Sequence, residues 1–320
     1  MKRYFILGLL CAGILTACKH RELYYEYEHI KSVRVEFDWS SAPTAEPEGM
    51  RVIFYPVPGT GSGTKAIVEN LDGKNGGAVD VPEGTYNAVC FNNDTECIRW
   101  RGTGALETLE AYTRDADILE TLQGPVEVPR GENDVEPIVL APDSMWRDRQ
   151  DGIVISKADE TETVISFTPV SVVRHVTYEI SGVKNSEAIS NIRGSLSGVS
   201  GSLFMGSNLL ASGTSTVPFD GSVDETDDTK IVGDFYFFGC CDERLRQESK
   251  HKFTIYCWAK DGNVLASFNV TDQLHNAENP DEIHLAMEGD IEIPAAGVGD
   301  GGFEPGVTGW KEENDEDLDI

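Results

Sequence analysis

The sequence predicts an all-β protein built from two sandwich-like halves. Apolar and polar residues alternate along many short segments, glycine is abundant at 32 residues, and long alanine- or leucine-rich helical stretches are absent. Strict alternation indicates half-buried strands, because successive side chains of a strand point to opposite faces of the sheet. A length of 320 residues accommodates two domains of ordinary size, or one long all-β domain.

The amino terminus predicts export and lipid attachment. Lys2 and Arg3 precede an apolar run of 11 residues ending at Leu15. This run is too short to cross a bilayer core of about 30 Å. Residues 15–18, Leu-Thr-Ala-Cys, resemble the lipobox of bacterial lipoproteins. We therefore expect residues 1–17 to be a lipoprotein signal peptide, Cys18 to carry acyl chains, and residues 18–29 to form a tether. An ordinary secretory signal with an incidental cysteine is the alternative.

We expect the amino-terminal β-sandwich to span residues 30–142. In residues 33–39 the odd positions are apolar and the even positions are charged, so one face packs and the other is solvated. Residues 105–122 are the part of this half most compatible with a helix, although their threonines leave a strand open. The other predicted strands are 50–55, 86–91, 126–128 and 135–140.

The second β-sandwich is expected over residues 148–293, after a short polar segment that we interpret as the domain boundary. Its glycine- and serine-rich part, residues 194–213, predicts turns or a loose hairpin. Residues 294–320 form a Gly-rich and then acidic tail, either solvated or paired as a strand. The predicted strands of this half are 163–167, 172–180, 189–196, 231–238, 253–259, 264–270 and 283–287.

Charge and motif content exclude several function classes. The chain has 26 Lys and Arg against 55 Asp and Glu, a net charge of −29, which repels phosphate backbones and argues against nucleic acid as a partner. It contains no metalloprotease helix, phosphate-binding loop or dinucleotide-binding turn. In residues 194–198 Leu196 stands where a nucleophilic serine would be required. We therefore expect no enzyme activity, catalytic residue, cofactor or metal, with a hydrolase using unrecognised carboxylates as the alternative.

Cysteine usage fits an exported protein without a redox motif. Once Cys11 leaves with the signal peptide and Cys18 takes lipid, an odd number remains, so pairing cannot be complete. A Cys90–Cys97 disulfide is possible on spacing alone, and the absence of a C-x-x-C motif argues against a zinc ribbon. The remaining cysteines are Cys90, Cys97, Cys240, Cys241 and Cys257.

One short motif suggests a covalent modification. Asp143-Ser144-Met145 resembles the Asp-Ser/Thr-apolar motif for O-glycosylation in Bacteroidota. It lies in the expected linker, where a bulky sugar would fit. We therefore predict Ser144 as a possible O-glycosylation site.

Several residue groups together resemble one protein family. They are Cys18, 37–39, 48–50 and 54–56; 81–86 with 92–94; and 290–294, 301–303 and Trp310. This set resembles the fimbrillin-like lipoproteins of Bacteroidota, the type V pilus superfamily, in a subgroup of uncharacterised function. The resemblance implies two consecutive transthyretin-like β-sandwich domains. It also implies export as a lipoprotein, with some members cut by an arginine-specific protease and completed by a strand donated from another subunit.

The resemblance gives particular segments candidate roles. The strand at residues 33–39 is the candidate displaced element, and the acidic tail is a candidate donor strand. Arg51 and Arg99 are the possible cleavage positions, although neither clearly closes a first strand. Without processing, the chain would be a pilus anchor, an accessory subunit or a stand-alone lipoprotein.

The predicted function is therefore a structural or adhesive cell-envelope lipoprotein at the outer membrane, surface-exposed or facing the periplasm. Its expected partners are the membrane through the lipid on Cys18, other fimbrial subunits, or surface ligands of host or bacterial cells. The alternative is a glycan-binding lipoprotein of a polysaccharide-uptake system. In that alternative, a stacking platform would come from Trp39, Trp100, Trp146, Trp258 and Trp310.

Overall fold

A computed structural model describes residues 30–60, 63–116, 136–156, 162–240, 251–294 and 303–305. Over these residues the chain is built almost entirely of strands, which confirms the all-β prediction. The described part contains no helix with the length and apolar character of a membrane-crossing segment. The expected signal peptide, Cys18, the whole tether and most of the tail lie outside the described residues.

The described strands range from 2 to 12 residues in length. Among the residues that the structure describes, three 3-10 turns (Trp39–Ser41, Leu106–Thr108 and Ser186–Ala188) and one helix, α1 (Thr271–His275), interrupt the strands. The strands are β1 (Ile30–Phe37), β2 (Gly49–Pro56), β3 (Ile67–Asp72), β4 (Gly77–Pro82), β5 (Gly84–Asn92), β6 (Ile98–Arg101), β7 (Glu110–Thr113), β8 (Trp146–Ile155), β9 (Val164–Phe167), β10 (Val170–Ser171), β11 (Arg174–Lys184), β12 (Ile189–Ser200), β13 (Ser202–Phe204), β14 (Leu209–Leu210), β15 (Thr214–Asp220), β16 (Ser222–Val223), β17 (Lys230–Phe237), β18 (Lys252–Ala259), β19 (Gly262–Asn269), β20 (Glu282–Glu292) and β21 (Phe303–Pro305).

The first sandwich packs two sheets against each other. Sheet I has the strand order β4-β1-β9, and sheet II has the order β10-β8-β5-β2-β3. Alternate residues of β1 point inward, as the sequence pattern predicted. The core between these sheets includes Val33, Val35, Met50, Val52, Phe54, Val79, Val81, Tyr86, Ala88, Cys90, Ile155, Ile165 and Phe167.

Sheet II also packs on its other face, which makes this half three layers deep. Sheet III, with the order β14-β13-β7-β6, covers that face. The sequence of β5 explains the arrangement, because it is a nearly continuous apolar run rather than an alternating one. Ala88 and Cys90 join the core under sheet I, whereas Val89 and Phe91 join the core under sheet III. A strand buried on both faces needs this composition.

The second sandwich packs sheet IV, β16-β17-β11-β20, against sheet V, β15-β12-β18-β19-β21. Tyr178, Phe219 and Phe253 pack closely in its core, with ring centroids 4.9 to 5.2 Å apart. The strand β18 lies between β12 and β19, as its apolar residues on both faces predicted.

The change from one half to the other falls later than the sequence suggested. The strand β8 pairs with β5, and β9 pairs in parallel with β1 over Arg34–Phe37, so residues 146–171 complete the first sandwich. The expected boundary at 142–148 therefore precedes strands that belong to the first half. Arg147 also binds the segment between β13 and β14, because its Nε donates to the Met205 carbonyl at 2.5 Å.

The glycine- and serine-rich region matches its prediction of turns or a hairpin only in its second part, where β13 and β14 pair across a turn, with Leu203 opposite Leu210. Its first part, up to Ser200, instead continues the strand β12. Gly194 fits in this strand because the Phe219 ring lies where a Cβ atom would stand. The missing side chain is therefore a packing requirement of the sandwich rather than a turn signal.

Candidate functional site

The strand β1 occupies the centre of sheet I and is the candidate functional element. It pairs antiparallel with β4, from Ile30 opposite Pro82 to Val35 opposite Gly77, and parallel with β9 on its other side. The bonds continue at the end of the strand, where the Asp38 amide donates to the Phe167 carbonyl at 2.7 Å. The sequence-predicted strand at 33–39 thus holds together two strands that otherwise do not pair with each other.

The inward face of β1 fills part of the first core. Val33 is 1 % exposed and Val35 is fully buried. On the outward face, the Arg34 Nε lies 2.7 Å from the Glu36 carboxylate, and both side chains are exposed. Removal of β1 would leave β4 and β9 with unpaired edges above an apolar groove, which is a template for another extended segment.

The connection from β1 to β2, residues 38–48, contains neither lysine nor arginine. It is held against the neighbouring turn, because the Trp39 Nε1 donates to the Lys74 carbonyl at 2.8 Å. The Trp39 ring meets the Trp146 ring edge-on at 6.1 Å. A protease specific for basic residues therefore has no target in this connection.

The two candidate cleavage residues lie inside paired strands. Arg51 is in β2, between β3 and β5, and its Nε donates to Asn70 Oδ1 at 2.9 Å. Arg99 is in β6, opposite Tyr112 of β7. Proteases bind their substrates as locally extended and accessible chain, so both positions are protected while these sheets are intact.

Part of the tail pairs as a strand. The segment β21 lies parallel to β19, with Phe303 opposite Asn263 and Pro305 opposite Leu265, and it forms an edge of sheet V. The acidic residues that follow lie outside the described chain. Pairing of β21 shows that the edge of β19 accepts an extended segment.

Ser144 lies in a fixed segment rather than a loose linker. The Asp143 carboxylate accepts from the Cys97 amide at 2.6 Å, and Met145 is fully buried. The Ser144 carbonyl accepts from Asn92 Nδ2 at 3.0 Å, while the serine itself is half-buried. Glycosylation of Ser144 stays a prediction.

The described tryptophans pack against other rings. The Trp100 ring stacks on Phe91 at 4.1 Å, and Trp258 lies 6.3 Å from Tyr256. Trp39 and Trp146 contact each other, and Trp310 lies outside the described residues. These contacts give the four described tryptophans structural roles and do not assemble them into one sugar-binding platform.

Cys90, Cys97 and Cys257 are free thiols in the structure. Cys90 and Cys97, which spacing allowed as a pair, are therefore not bridged. Burial raises the pKa of the Cys90 thiol far above its ordinary value and that of Cys257 to about 12. Both thiols thus stay protonated and behave as small apolar groups in the core.

Histidines occur in two places that spacing in the sequence did not reveal. His175 lies between Glu282 and Asp234, at 2.8 and 3.2 Å. Partial burial opposes its charge, but the hydrogen bonds to both carboxylates outweigh this and raise the pKa of His175. The second place joins two histidines and a cysteine, Cys240, His251 and His275, within one small cluster. No short spacing links these three residues in the chain, so only the fold identifies them.

Comparison with known proteins agrees with this architecture. A provisionally named fimbrium anchoring subunit, Fim4B of Bacteroides ovatus, is 28 % identical over 349 aligned positions, covering 99 % of this chain and 98 % of the relative. A solved structure from the same species, described provisionally as an adhesin, is 25 % identical with a TM-score of 0.64. That match covers 88 % of this chain and 98 % of the other. A Bacteroides thetaiotaomicron structure, described provisionally as a polysaccharide binding protein, shares the fold at 12 % identity and a TM-score of 0.51, covering 82 % and 91 % of the two chains.

These likenesses confirm the resemblance to fimbrillin-like proteins. The protein is a fimbrial or adhesin-like subunit of the cell envelope, and it is not an enzyme. A family model described as a domain of unknown function, DUF5119, matches residues 17–220. The chain belongs to the DUF5119 family.

Proposed function

We propose that the protein is a fimbrial anchoring subunit of the outer membrane that keeps its first strand and carries lipid on Cys18. The observation that supports this proposal is the position of β1 together with the connection that follows it. The strand β1 begins at Ile30, only 12 residues after Cys18 (30 − 18), and its connection to β2 offers no basic residue for cleavage. One continuous chain then joins the membrane to the folded body.

Retention of β1 distinguishes an anchor from a polymerising subunit. A cut between β1 and β2 would separate the lipid from the body and open the groove between β4 and β9. Arg34 and Arg51, the basic residues that flank this connection, both lie in paired strands. Arg21 lies ahead of β1, so a cut there would remove the lipid but would leave the groove filled. The fold therefore favours an anchor whose first sandwich is closed.

The next fimbrial subunit would bind elsewhere on the protein, by addition of a strand to an exposed sheet edge. The edge of β19 supports this step, because the described part of the tail, β21, pairs with residues 263–265 of that eight-residue strand. An extended segment placed there would gain backbone hydrogen bonds, and alternate side chains would determine which segment fits. The partner in this proposal is another subunit of the same fimbria.

The anchoring role is tested by replacing the lipidated residue in the producing bacterium. We expect Cys18→Ala to move the protein, together with its fimbriae, from the membrane fraction to the medium, because the acyl chains supply the membrane affinity. Cys97→Ala is the matched control, since it also removes one cysteine and should leave the protein at the membrane. Immunoblots of both fractions and electron microscopy of shed fimbriae provide the measurement.

Mass spectrometry of the wild-type protein tests retention of β1. We expect an acylated amino-terminal residue at Cys18 and an intact chain from that residue through Arg51. An unmodified Cys18, or a mature protein that begins after β1, would contradict the proposal.

A further inference from the structure

Three side chains from separate segments meet at one end of the second sandwich. Cys240 lies just after β17, His251 just before β18, and His275 is the last residue of α1. One nitrogen of each histidine and the Cys240 sulfur all lie within 4.8 Å of one another. The two Nε2 atoms are 2.9 Å apart. No activity or partner proposed above uses these residues.

The cluster is largely buried. His251 is fully buried and Cys240 is 2 % exposed, whereas His275 reaches the surface in part. A neutral imidazole is the form in which histidine binds a metal ion.

The second nitrogen of His251 is already oriented by the backbone. Its Nδ1 lies 3.3 Å from the Ser197 carbonyl, which can only accept a hydrogen bond. The proton of the neutral ring therefore belongs on Nδ1, and the lone pair of Nε2 faces His275. Metal-binding histidines are typically oriented in this way, with the non-ligating nitrogen donating to a carbonyl or carboxylate.

We propose that Cys240, His251 and His275 bind one Zn²⁺ ion. A thiolate and two imidazoles form a donor set that zinc prefers, with Zn–S near 2.3 Å and Zn–N near 2.0–2.1 Å. The existing separations require only small side-chain movements to reach such a geometry. On binding, the Cys240 thiol releases its proton to solvent as the sulfur–zinc bond forms. Water completes the tetrahedron.

The ion would have a structural role. Its ligands come from the end of β17, the start of β18 and the end of α1, so one ion would join three segments of the second sandwich. The backbone already brings two of them together, because the His251 amide donates to Thr271 Oγ1, in the first turn of α1, at 2.7 Å. Cys240 also lines a surface cleft of about 500 Å³, which gives the ion a path from solvent.

The test uses the full chain, purified in detergent, reduced and freed of metal with a chelator. The metal-free protein is then titrated with ZnSO₄ in competition with a chromophoric chelator, which reports the free zinc concentration. We expect one zinc per chain. His275→Ala, which alters the partly exposed ligand, and Cys240→Ser should each weaken binding by more than about 100-fold, because loss of an outer-shell partner alone costs about 10–100-fold. Cys97→Ser and His284→Ala are the matched controls and should bind as the wild type does.

A spectroscopic measurement shows whether the sulfur is a ligand. Replacement of zinc by Co²⁺ should give thiolate-to-cobalt charge-transfer absorption and the visible bands of a tetrahedral ion, and Cys240→Ser should lose the charge-transfer band. The thermal midpoint of the wild type should rise with zinc but not with magnesium. Substoichiometric zinc binding, or equal binding by His275→Ala and the controls, would overturn the proposal and leave a direct His251–His275 hydrogen bond as the explanation of the cluster.

Discussion

At the scale of single residues, Glu110 shows how this acidic chain accommodates a buried carboxylate. Glu110 is 7 % exposed and receives hydrogen bonds from Arg101 at 2.5 and 2.6 Å. The Ser202 hydroxyl donates a further bond at 2.6 Å, from the strand paired with β7. The hydrogen bonds from Arg101 lower the pKa of Glu110, so the folded protein favours its charged form.

Glu110→Gln should destabilise the protein at pH 7 by about 1–3 kcal/mol, because it removes the charge from a hydrogen-bonded, buried position. The pKa of Glu110 is lower in the folded state. The contribution of Glu110 to the free energy of unfolding is therefore present above its pKa in the unfolded state, near 4.5, and is lost as the pH falls through its pKa in the folded state. Urea unfolding at several pH values between 7 and 3 measures the difference.

The control for this prediction is Glu36→Gln, the same substitution in an ion pair whose side chains are both about half exposed. Such pairs contribute about 0–1 kcal/mol. Equal decreases in unfolding free energy for Glu110→Gln and Glu36→Gln would show that the buried carboxylate is not stabilised as described. The same conclusion would follow if the decrease for Glu110→Gln stayed constant down to pH 3.

At the scale of elements, two glycines in the turn before β4 provide a test of the position of β1. Gly73 and Gly76 both have left-handed backbone conformations, with φ of 64° and 79°. A Cβ atom on Gly73 would meet nothing within 4 Å, whereas one on Gly76 would clash with the Val35 carbonyl in β1. The two glycines therefore share a backbone requirement but differ in their contact with the first strand.

Gly76→Ala should cost about 2–4 kcal/mol and Gly73→Ala about 1–2 kcal/mol of unfolding free energy. Both variants bear the left-handed penalty, but only the first adds overpacking against β1. Urea unfolding of the two variants provides the comparison. If Gly76→Ala cost no more than Gly73→Ala, then β1 would not lie in the groove between β4 and β9.

The same scale shows how far the sequence predicted the fold. Alternation of apolar and polar residues predicted β1 and β2, and a run with apolar residues on both faces predicted β18 as a central strand. These predictions succeed because the polarity of each side chain indicates whether its face of the strand is buried. Alternation did not reveal that β8 and β9 return to the first sandwich, since long-range pairing leaves no local pattern. The cluster of Cys240, His251 and His275 was missed for the same reason.

At the scale of the whole molecule, the anchoring proposal depends on chain continuity between the lipid and the body. The connection at 38–48 contains no lysine or arginine, and residue 44 within it is an exposed threonine. Cutting this connection would leave β1 held by non-covalent contacts alone, among them its pairing with β4 and β9, its buried valines and the hydrogen bond from Trp39 to the Lys74 carbonyl. The body would then leave the membrane only as fast as β1 leaves its groove.

Thr44→Arg should therefore convert the anchor into a protein that can be released. In an Arg21→Lys background, which removes the arginine beside the lipid, an arginine-specific protease should cut Thr44→Arg after residue 44 and leave Thr44→Lys uncut there. The lipidated fragment 18–44 should remain with the membranes while the body appears in the supernatant over time, as followed by immunoblot. Release of the Thr44→Lys body after cleavage at Arg34 or Arg51 would show that the first sandwich opens spontaneously. Such an opening would be expected of a polymerising subunit rather than an anchor, because exchange of the first strand requires an accessible groove.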